Sequence, residues 1–342
     1  ATVIFHLPNI GLKIVWWTAF NFSMIKEGPR ITKLKIIKIK IPAIKEIIVL
    51  GSGSSVPTAK RNHPGILVSY RDENILFDCG EGIQRQFRKA RINPCKLTRI
   101  FISHWHGDHI LGIPGLLQTL YLNNYGKTLE IYGPKGTKRY MEKILGLFAY
   151  SGRIKFNIHE ISNGKVIDKK DFYVEAMSMI HGTPSLAYSF IIKGVLRIDK
   201  NKLFKLKIKG EDLKKFKDLK EGKNIYINGK KIKYKNLTYS EKGKKVTLVF
   251  DTLDNLGIIK LAKDSDLFFC ESTYFNEYGL AKEHKHLTVS QATLAAKKAN
   301  AKKLILFHLS QRYDYKENDF LKEARKKFKD VVIAEDLMKF EI

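Results

Sequence analysis

The segment His104-Trp105-His106-Gly107-Asp108-His109 constrains this chain most, because three imidazoles and a carboxylate crowd together directly after the apolar run Ile100-Phe101-Ile102-Ser103. Neutral imidazole nitrogen and carboxylate oxygen are the donors of catalytic zinc sites, and several of them in one short loop leave positions open for water. Side chains alternate in direction where a strand gives way to a loop, so His104 and His106 can face one ion while Asp108 and His109 reach a second. A solvated, histidine-rich turn is the competing explanation. Against it stand further donors at the ends of apolar runs: His181 after Met177 to Ile180, Asp251 after Val249-Phe250, and His308 after Leu304 to Phe307. Strand ends are where open sheets keep their sites. His286 lies just ahead of a helix that Thr288 or Ser290 can begin.

Periodicity supplies the scaffold for these donors. Apolar strands are expected at 47–50, 66–70 and 75–78, separated by a Gly-Ser loop and a tight turn that favour antiparallel pairing. Helices follow at 83–90, at 113–123 and after Gly133-Pro134, and strands at 154–160, 172–179 and 186–192. The second half alternates strands 246–250, 267–270 and 304–307 with helices 253–263, 289–299 and 319–328. Two mixed sheets covered by helices on both outer faces, an α/β sandwich, is the simplest architecture. The first 44 residues read as an extension without chemistry, with Met24 as an alternative start, and the Lys/Ile alternation of Ile31 to Ile41 predicts an edge strand guarded by lysine. From about 195 to 245 lysine dominates, which predicts an inserted, protruding basic arm with no core of its own.

The charge points to a polyanionic partner. Lys+Arg 62 against Asp+Glu 34 leaves a formal +28, far beyond what solubility needs, and nucleic acid is the natural match. A heat-adapted lysine habit is the bland alternative. Cys79, Cys95 and Cys270 lack Cys-x-x-Cys spacing, so neither a disulfide framework nor a thiolate zinc site is expected, and a reducing cytoplasm fits. No apolar run reaches the roughly 18 to 20 residues of a membrane span. The glycines Gly51, Gly53, Gly80 and Gly82 read as turn formers, since no phosphate-loop or dinucleotide spacing accompanies them, and no nucleotide cofactor is expected.

The chain resembles the metallo-β-lactamase superfamily in its His-x-His-x-Asp-His loop, His104 to His109. It is more specifically similar to the ribonuclease Z family, the endonucleases that remove 3′ trailers from precursor tRNA. That similarity is carried by Gly51-Ser52-Gly53-Ser54-Ser55-Val56-Pro57-Thr58, Arg61-Asn62, and Phe77-Asp78-Cys79-Gly80-Glu81-Gly82-Ile83-Gln84-Arg85-Gln86. It continues through the residues from Gly107 to Leu117, Cys270-Glu271-Ser272-Thr273 and His308-Leu309-Ser310-Gln311-Arg312-Tyr313. Ile83, Leu287 and Leu309 depart from the family pattern without removing a donor.

The resemblance implies an αββα metallo-β-lactamase fold spanning 45–342 and two zinc ions per subunit. His104, His106 and His181 would hold one ion, Asp108, His109 and His308 the other, and Asp251 would bridge them. Manganese or iron also suit these ligands. Asp108 would orient the attacking water, whose pKa on zinc falls to about 7. His286, held by Glu271, would protonate the departing ribose 3′ oxygen, with His284 as the competitor. Asp78, Glu81 and Ser103 would orient loops and histidines, Arg312 would meet phosphate, and the lysines from Lys200 to Lys245 would grip the tRNA in a homodimer. A small-molecule ester, thioester or phosphodiester hydrolase, and a non-catalytic RNA-binding module, are the alternatives.

Overall fold

The computed structural model describes residues 4–7, 12–17, 21–26, 45–147, 154–199, 201–202, 216–227 and 229–342. It divides into Ala1–Ile44 and Lys45–Ile342. In the first unit, strands Ile4–Leu7, Leu12–Trp17 and Asn21–Lys26 form an antiparallel sheet in chain order. The Lys/Ile alternation of Ile31 to Ile41 lies outside the described residues.

The second unit opens with three antiparallel strands, β1 (Lys45–Gly51), β2 (Gly65–Tyr70) and β3 (Glu73–Phe77). Their isoleucines, leucines and valines are buried on both faces, as strands sandwiched between a sheet and helices must be. After helix α1 (Ile83–Lys89) the pairing turns parallel through β4 (Arg99–Phe101), β5 (Leu129–Gly133) and β6 (Phe156–Glu160). The short helix α2 (Gly107–Ile110) and helices α3 (Ile113–Leu122) and α4 (Thr137–Gly146) make the crossovers.

The second sheet repeats this plan. Antiparallel β7 (Gly164–Asp168), β8 (Phe172–Met179) and β9 (Ser185–Ile192) come first. The basic insertion follows, with β10 (Val195–Ile198), α5 (Phe216–Lys220), the hairpin β11 (Ile225–Ile227) and β12 (Lys230–Ile232), α6 (Tyr234–Leu237) and β13 (Thr238–Glu241), which pairs with β10. Then β14 (Lys244–Val249), β15 (Leu267–Glu271), β16 (Lys303–Phe307) and β17 (Val331–Ile333) complete a seven-stranded sheet. Helices α7 (Leu256–Ala262), α8 (Tyr278–His284), α9 (Val289–Lys298) and α10 (Glu317–Arg325) intervene. The last strand, β18 (Lys339–Glu341), returns to the first sheet beside β1, making that sheet seven-stranded as well.

The two sheets share one core, built from Phe77, Phe101, Tyr188, Phe190, Phe250 and Phe269 among others. Separate apolar layers join the first sheet to α1, α3 and α4 and the second to α7, α9 and α10. This is the expected αββα sandwich. The insertion, however, does bury a core of its own. Leu219, Ile225, Ile227 and Leu237 cluster with Ile198, Phe216, Ile232 and Tyr234, because a helix and hairpin fold these scattered apolar residues onto one face.

Tight backbone approach holds the loops of the first sheet in place. Gly112 donates its N–H to the Cys79 carbonyl at 2.9 Å, and a Cβ at Gly112 would overlap the backbone of Gly80. Gly112→Ala should therefore destabilise the fold by about 1–3 kcal/mol, read as a lower midpoint in denaturant unfolding. An unchanged midpoint would show that the loop has room the packing denies.

Candidate metal centre

Each parallel strand near the sandwich centre delivers one polar side chain at its carboxyl end. Asp78 follows β3, His104 follows β4 by way of Ile102 and Ser103, Asp251 follows β14, Glu271 ends β15 and His308 follows β16. Both sheets end at one edge, so residues as far apart in sequence as Asp78 and His308 share one site. His181 arrives from the end of β8, and His106, Asp108 and His109 from the loop and turn after His104.

Two groups of donors face one another across Asp251. On one side His104 Nε2 lies 3.0 Å from His106 Nδ1, which lies 3.2 Å from His181 Nε2. Asp251 Oδ2 stands 3.6 Å from His104 Nε2 and 3.8 Å from His181 Nε2. On the other, Asp251 Oδ1 lies 3.2 Å from His308 Nε2 and 3.4 Å from His109 Nε2, while Asp108 Oδ2 lies 3.5 Å and 3.2 Å from the same nitrogens. Donors at about 2.0–2.2 Å from a tetrahedral zinc are about 3.3–3.6 Å apart, so this spacing is that of a coordination shell. Each group can hold a metal ion.

The unsatisfied atoms agree. His109 Nε2, Asp251 Oδ1 and His308 Nε2 are buried without a hydrogen-bond partner, a costly state unless a cation meets them. Electrostatics points the same way. Burial lowers the His109 pKa, but Asp108, Asp251 and Asp78 outweigh it and raise it well above the ordinary histidine range. The acids around His109 thus favour positive charge there, which a metal ion on Nε2 would supply in place of a proton. Around the other group burial dominates, holding the pKa values of His104, His106 and His181 below the ordinary range and keeping their lone pairs free for coordination.

A second layer of bonds sets each ring. Asp78 Oδ2 meets His109 Nδ1 at 2.6 Å and accepts from Ser103 Oγ at 2.7 Å, and Ser103 Oγ lies 2.9 Å from His104 Nδ1. His181 Nδ1 donates to the Lys285 carbonyl at 2.9 Å, and His308 Nδ1 meets Thr273 Oγ1 at 2.8 Å. These partners turn Nε2 of His109, His104, His181 and His308 toward the cluster. Glu81, by contrast, is exposed, its carbonyl accepting from the Asn62 side chain at 2.8 Å.

Glu271 is fully buried and saturated with donors: Thr252 N–H at 2.9 Å, Thr273 Oγ1 at 2.7 Å and His286 Nδ1 at 3.0 Å. It holds His286 beside Asp251, whose Oδ2 is 3.9 Å from the same nitrogen. Burial opposes protonation of His286, but Glu271 and Asp251 outweigh it and lift its pKa to about 9. Thr288 caps α9 with a reciprocal Gln291 capping box, fixing the backbone two residues after His286. His284 ends α8 exposed, stacked near Tyr274, outside the metal groups.

Arg312 is exposed on the turn Gln311–Tyr313, four residues after His308, and is not drawn into the cluster. Sequence reasoning missed Thr252 and Thr273, which hold Glu271, and Asp336. The Asp336 carboxylate accepts from Ser52 N and Oγ, Asn62 N and Gln86 Nε2 at 2.6–3.0 Å, pinning the Gly-Ser loop to α1. Thr273 lay within a motif already noticed, whereas no local pattern marks Asp336.

A family model described as Anti-Pycsar protein Apyc1 matches residues 45–217, ending before Asp251, Glu271, His286 and His308. Relatives that span those residues decide the matter. Ribonuclease Z of Nanoarchaeum equitans is 41% identical over 292 residues, covering 85% of this chain and 91% of its own, and that of Methanocaldococcus jannaschii is 40% identical over 314 residues, covering 87% and 98%. The chain belongs to the ribonuclease Z family. The crystal structure of the short form of human tRNase Z is similar in fold, with a TM-score of 0.62, 26% identity, and coverage of 87% of this chain and 99% of that one. Ribonuclease Z membership and the metallo-β-lactamase fold thus agree with a His/Asp cluster suited to metal.

Asp78→Asn keeps the side-chain volume but removes the charge that sets His109. Metal affinity in a competition titration with a chromogenic chelator should fall about 10- to 100-fold. Unchanged affinity would mean that His109 needs no such support.

Proposed function

We propose that this member of the ribonuclease Z family is a zinc-dependent endoribonuclease that removes the 3′ trailer of precursor tRNA after the discriminator nucleotide. The observation that carries the reading is the pairing of two converging donor groups with His286, which Glu271 holds beside them; Glu271, His286 and His308 also lie close enough together to hold an ion, so metal content of a His286 variant separates proton donor from ligand. Two zinc ions, one held by His104, His106 and His181, the other by Asp108, His109 and His308, with Asp251 between, would supply an activated water and a clamp on the phosphate oxygens.

The chain's own groups do the rest. Asp108 is the less buried of the two ligand carboxylates, 9% exposed against 2% for Asp251, and orients the attacking water at the open side of the cluster. The water, having released one proton to solvent on activation, bonds through its oxygen to phosphorus as the bond to the ribose 3′ oxygen breaks. His286, kept protonated by Glu271, gives its proton to that oxygen, yielding a tRNA 3′ hydroxyl and a 5′-phosphorylated trailer. Arg312 and the basic insertion bind tRNA phosphates by charge and shape. A homodimer in which one subunit's insertion presents tRNA to the other, in the cytoplasm, fits the family. No helix among the described residues is long and apolar enough to cross a membrane. A small-molecule hydrolase would have no use for the +28 charge or the insertion.

Chelation should abolish cleavage of end-labelled precursor tRNA, and zinc should restore it. His286→Ala should keep its metal and tRNA affinity yet slow the chemical step about 10²-fold or more, while His284→Ala does much less. Metal loss from the His286 variant, or a larger effect at His284, would reassign the proton donor.

The ends of the insertion meet, since a Cβ on Gly243 would stand 3.0 Å from Gly194 N, and its core is separate. Excising 195–242 should therefore leave metal content and hydrolysis of a small activated phosphodiester intact, while tRNA binding weakens and loses roughly one unit of salt slope per phosphate contact removed. Unchanged tRNA affinity and salt dependence would move the grip elsewhere.

A further inference from the structure

Four aromatic rings stack across the parallel strands of the first sheet. Phe77 and Phe101 lie 5.2 Å apart at 23°, Phe101 and Tyr132 4.6 Å at 9°, and Tyr132 and His159 4.5 Å at 18°. The register makes this ladder, pairing Phe77 with Phe101, Phe101 with Tyr132 and Tyr132 with His159. It runs from the buried core to the edge strand β6, where the His159 side chain is 41% exposed and its Nε2 is held by Glu130 Oε2 at 2.6 Å. All these rings sit at the carboxyl ends of their strands, the edge from which β4 continues into His104.

A second stack stands on the same edge. Trp105, between ligand candidates His104 and His106, donates its indole N–H to Thr137 Oγ1 at 2.9 Å and stacks on Tyr140 at 5.1 Å and 26°. The Arg139 guanidinium lies 4.9 Å from the Tyr140 ring centroid. Lys135, Lys138 and Arg139 are exposed around the start of α4, which Glu160, the neighbour of His159, ties to the end of β6. Of the acids nearby, Glu160 Oε1 accepts the Gly136 and Lys138 N–H groups, both at 3.0 Å, and Glu130 holds His159, while Glu142 is exposed one turn further along α4, one acid against three cations. Cationic side chains and flat rings are thus what the strip offers a ligand.

We infer that this strip, from Trp105 across the start of α4 to His159, binds single-stranded RNA on the trailer side of the scissile phosphate. Cationic groups that follow a backbone, interleaved with rings on which bases stack, are the recognition chemistry of unpaired nucleic acid. The strip belongs to the first sheet and adjoins the ligand loop directly, whereas Arg312 and the basic insertion belong to the second. Folded tRNA held through the second sheet leaves the first for the strand that continues past the cut. The inference rests on the ribonuclease Z reading, and its test separates the two.

Two precursors are compared, identical except for a trailer of a single nucleotide or of about ten, a length within the usual span of a single-strand site. The double variant Arg139→Ala/His159→Ala removes two surface groups and should raise KM for the long trailer ~10-fold, within the range for losing a stacked base. KM for the short trailer, kcat and metal content should not change. Tyr140→Ala should act in the same direction, and the surface variant decides the matter if Tyr140→Ala fails to fold. Equal effects on both precursors, or none on either, would overturn the inference. Binding of the isolated trailer oligonucleotide, followed by fluorescence anisotropy, is the independent arm: the double variant should weaken it by the same factor, and unchanged binding would overturn the inference too. If the unmodified protein cleaves neither precursor, the ribonuclease Z reading fails, and the anisotropy result still judges the strip.

Discussion

The arrangement depends on one electrostatic constraint. Asp78, Asp108 and Asp251 are buried together among imidazoles, with His109 Nε2, Asp251 Oδ1 and His308 Nε2 lacking any hydrogen-bond partner. Such a group of acids needs compensating positive charge: burial raises the Asp78 pKa, and Asp108 and Asp251 stay ionised only through the cationic charge the neighbouring histidines would carry. A metal ion among these donors would supply that charge. Donor spacing and ring-setting bonds then have a single explanation.

The sandwich makes this constraint affordable by building the site twice over from similar parts. Each sheet begins with antiparallel strands and turns parallel, and the parallel strands of both sheets release their polar residues at one edge. Most candidate ligands therefore stand on rigid strand ends, and their partners Asp78, Thr273 and Glu271 stand on neighbouring ones. Placement of this kind holds ligands to the tolerance that catalysis requires. The first sheet contributes the histidine loop and the aromatic edge beside it, the second contributes Asp251, which lies between the two donor groups, the His286–Glu271 pair and the basic insertion. That division suits a substrate with a folded body and an unpaired end.

Much of this was legible in the residue order. Four donors in one loop and others closing apolar runs are local patterns, and the αββα architecture follows from strand and helix periods. Less was legible where the signal is long-range. The strand β5 was missed because it is short and carries Glu130 and Tyr132 among its apolar residues, and β17 and β18 are three residues each. Asp336 acts only through partners some 250 to 284 positions away. The core of the insertion was misjudged because Ile198, Leu219, Ile225 and Leu237 are too scattered to show a period, and only a helix meeting a hairpin assembles them. The preference for His286 over His284 comes from its place just ahead of the Leu287-Thr288 pair and the following helix, as in the family pattern, and in the fold it is His286 that meets Glu271.

The most direct test of a shared binuclear centre is anomalous X-ray diffraction from zinc-loaded crystals, collected on both sides of the zinc absorption edge. Two peaks about 3.5–4 Å apart are expected, one within the His104, His106 and His181 group, one within the Asp108, His109 and His308 group, with Asp251 between them. A single peak, or two that do not share Asp251, would contradict it.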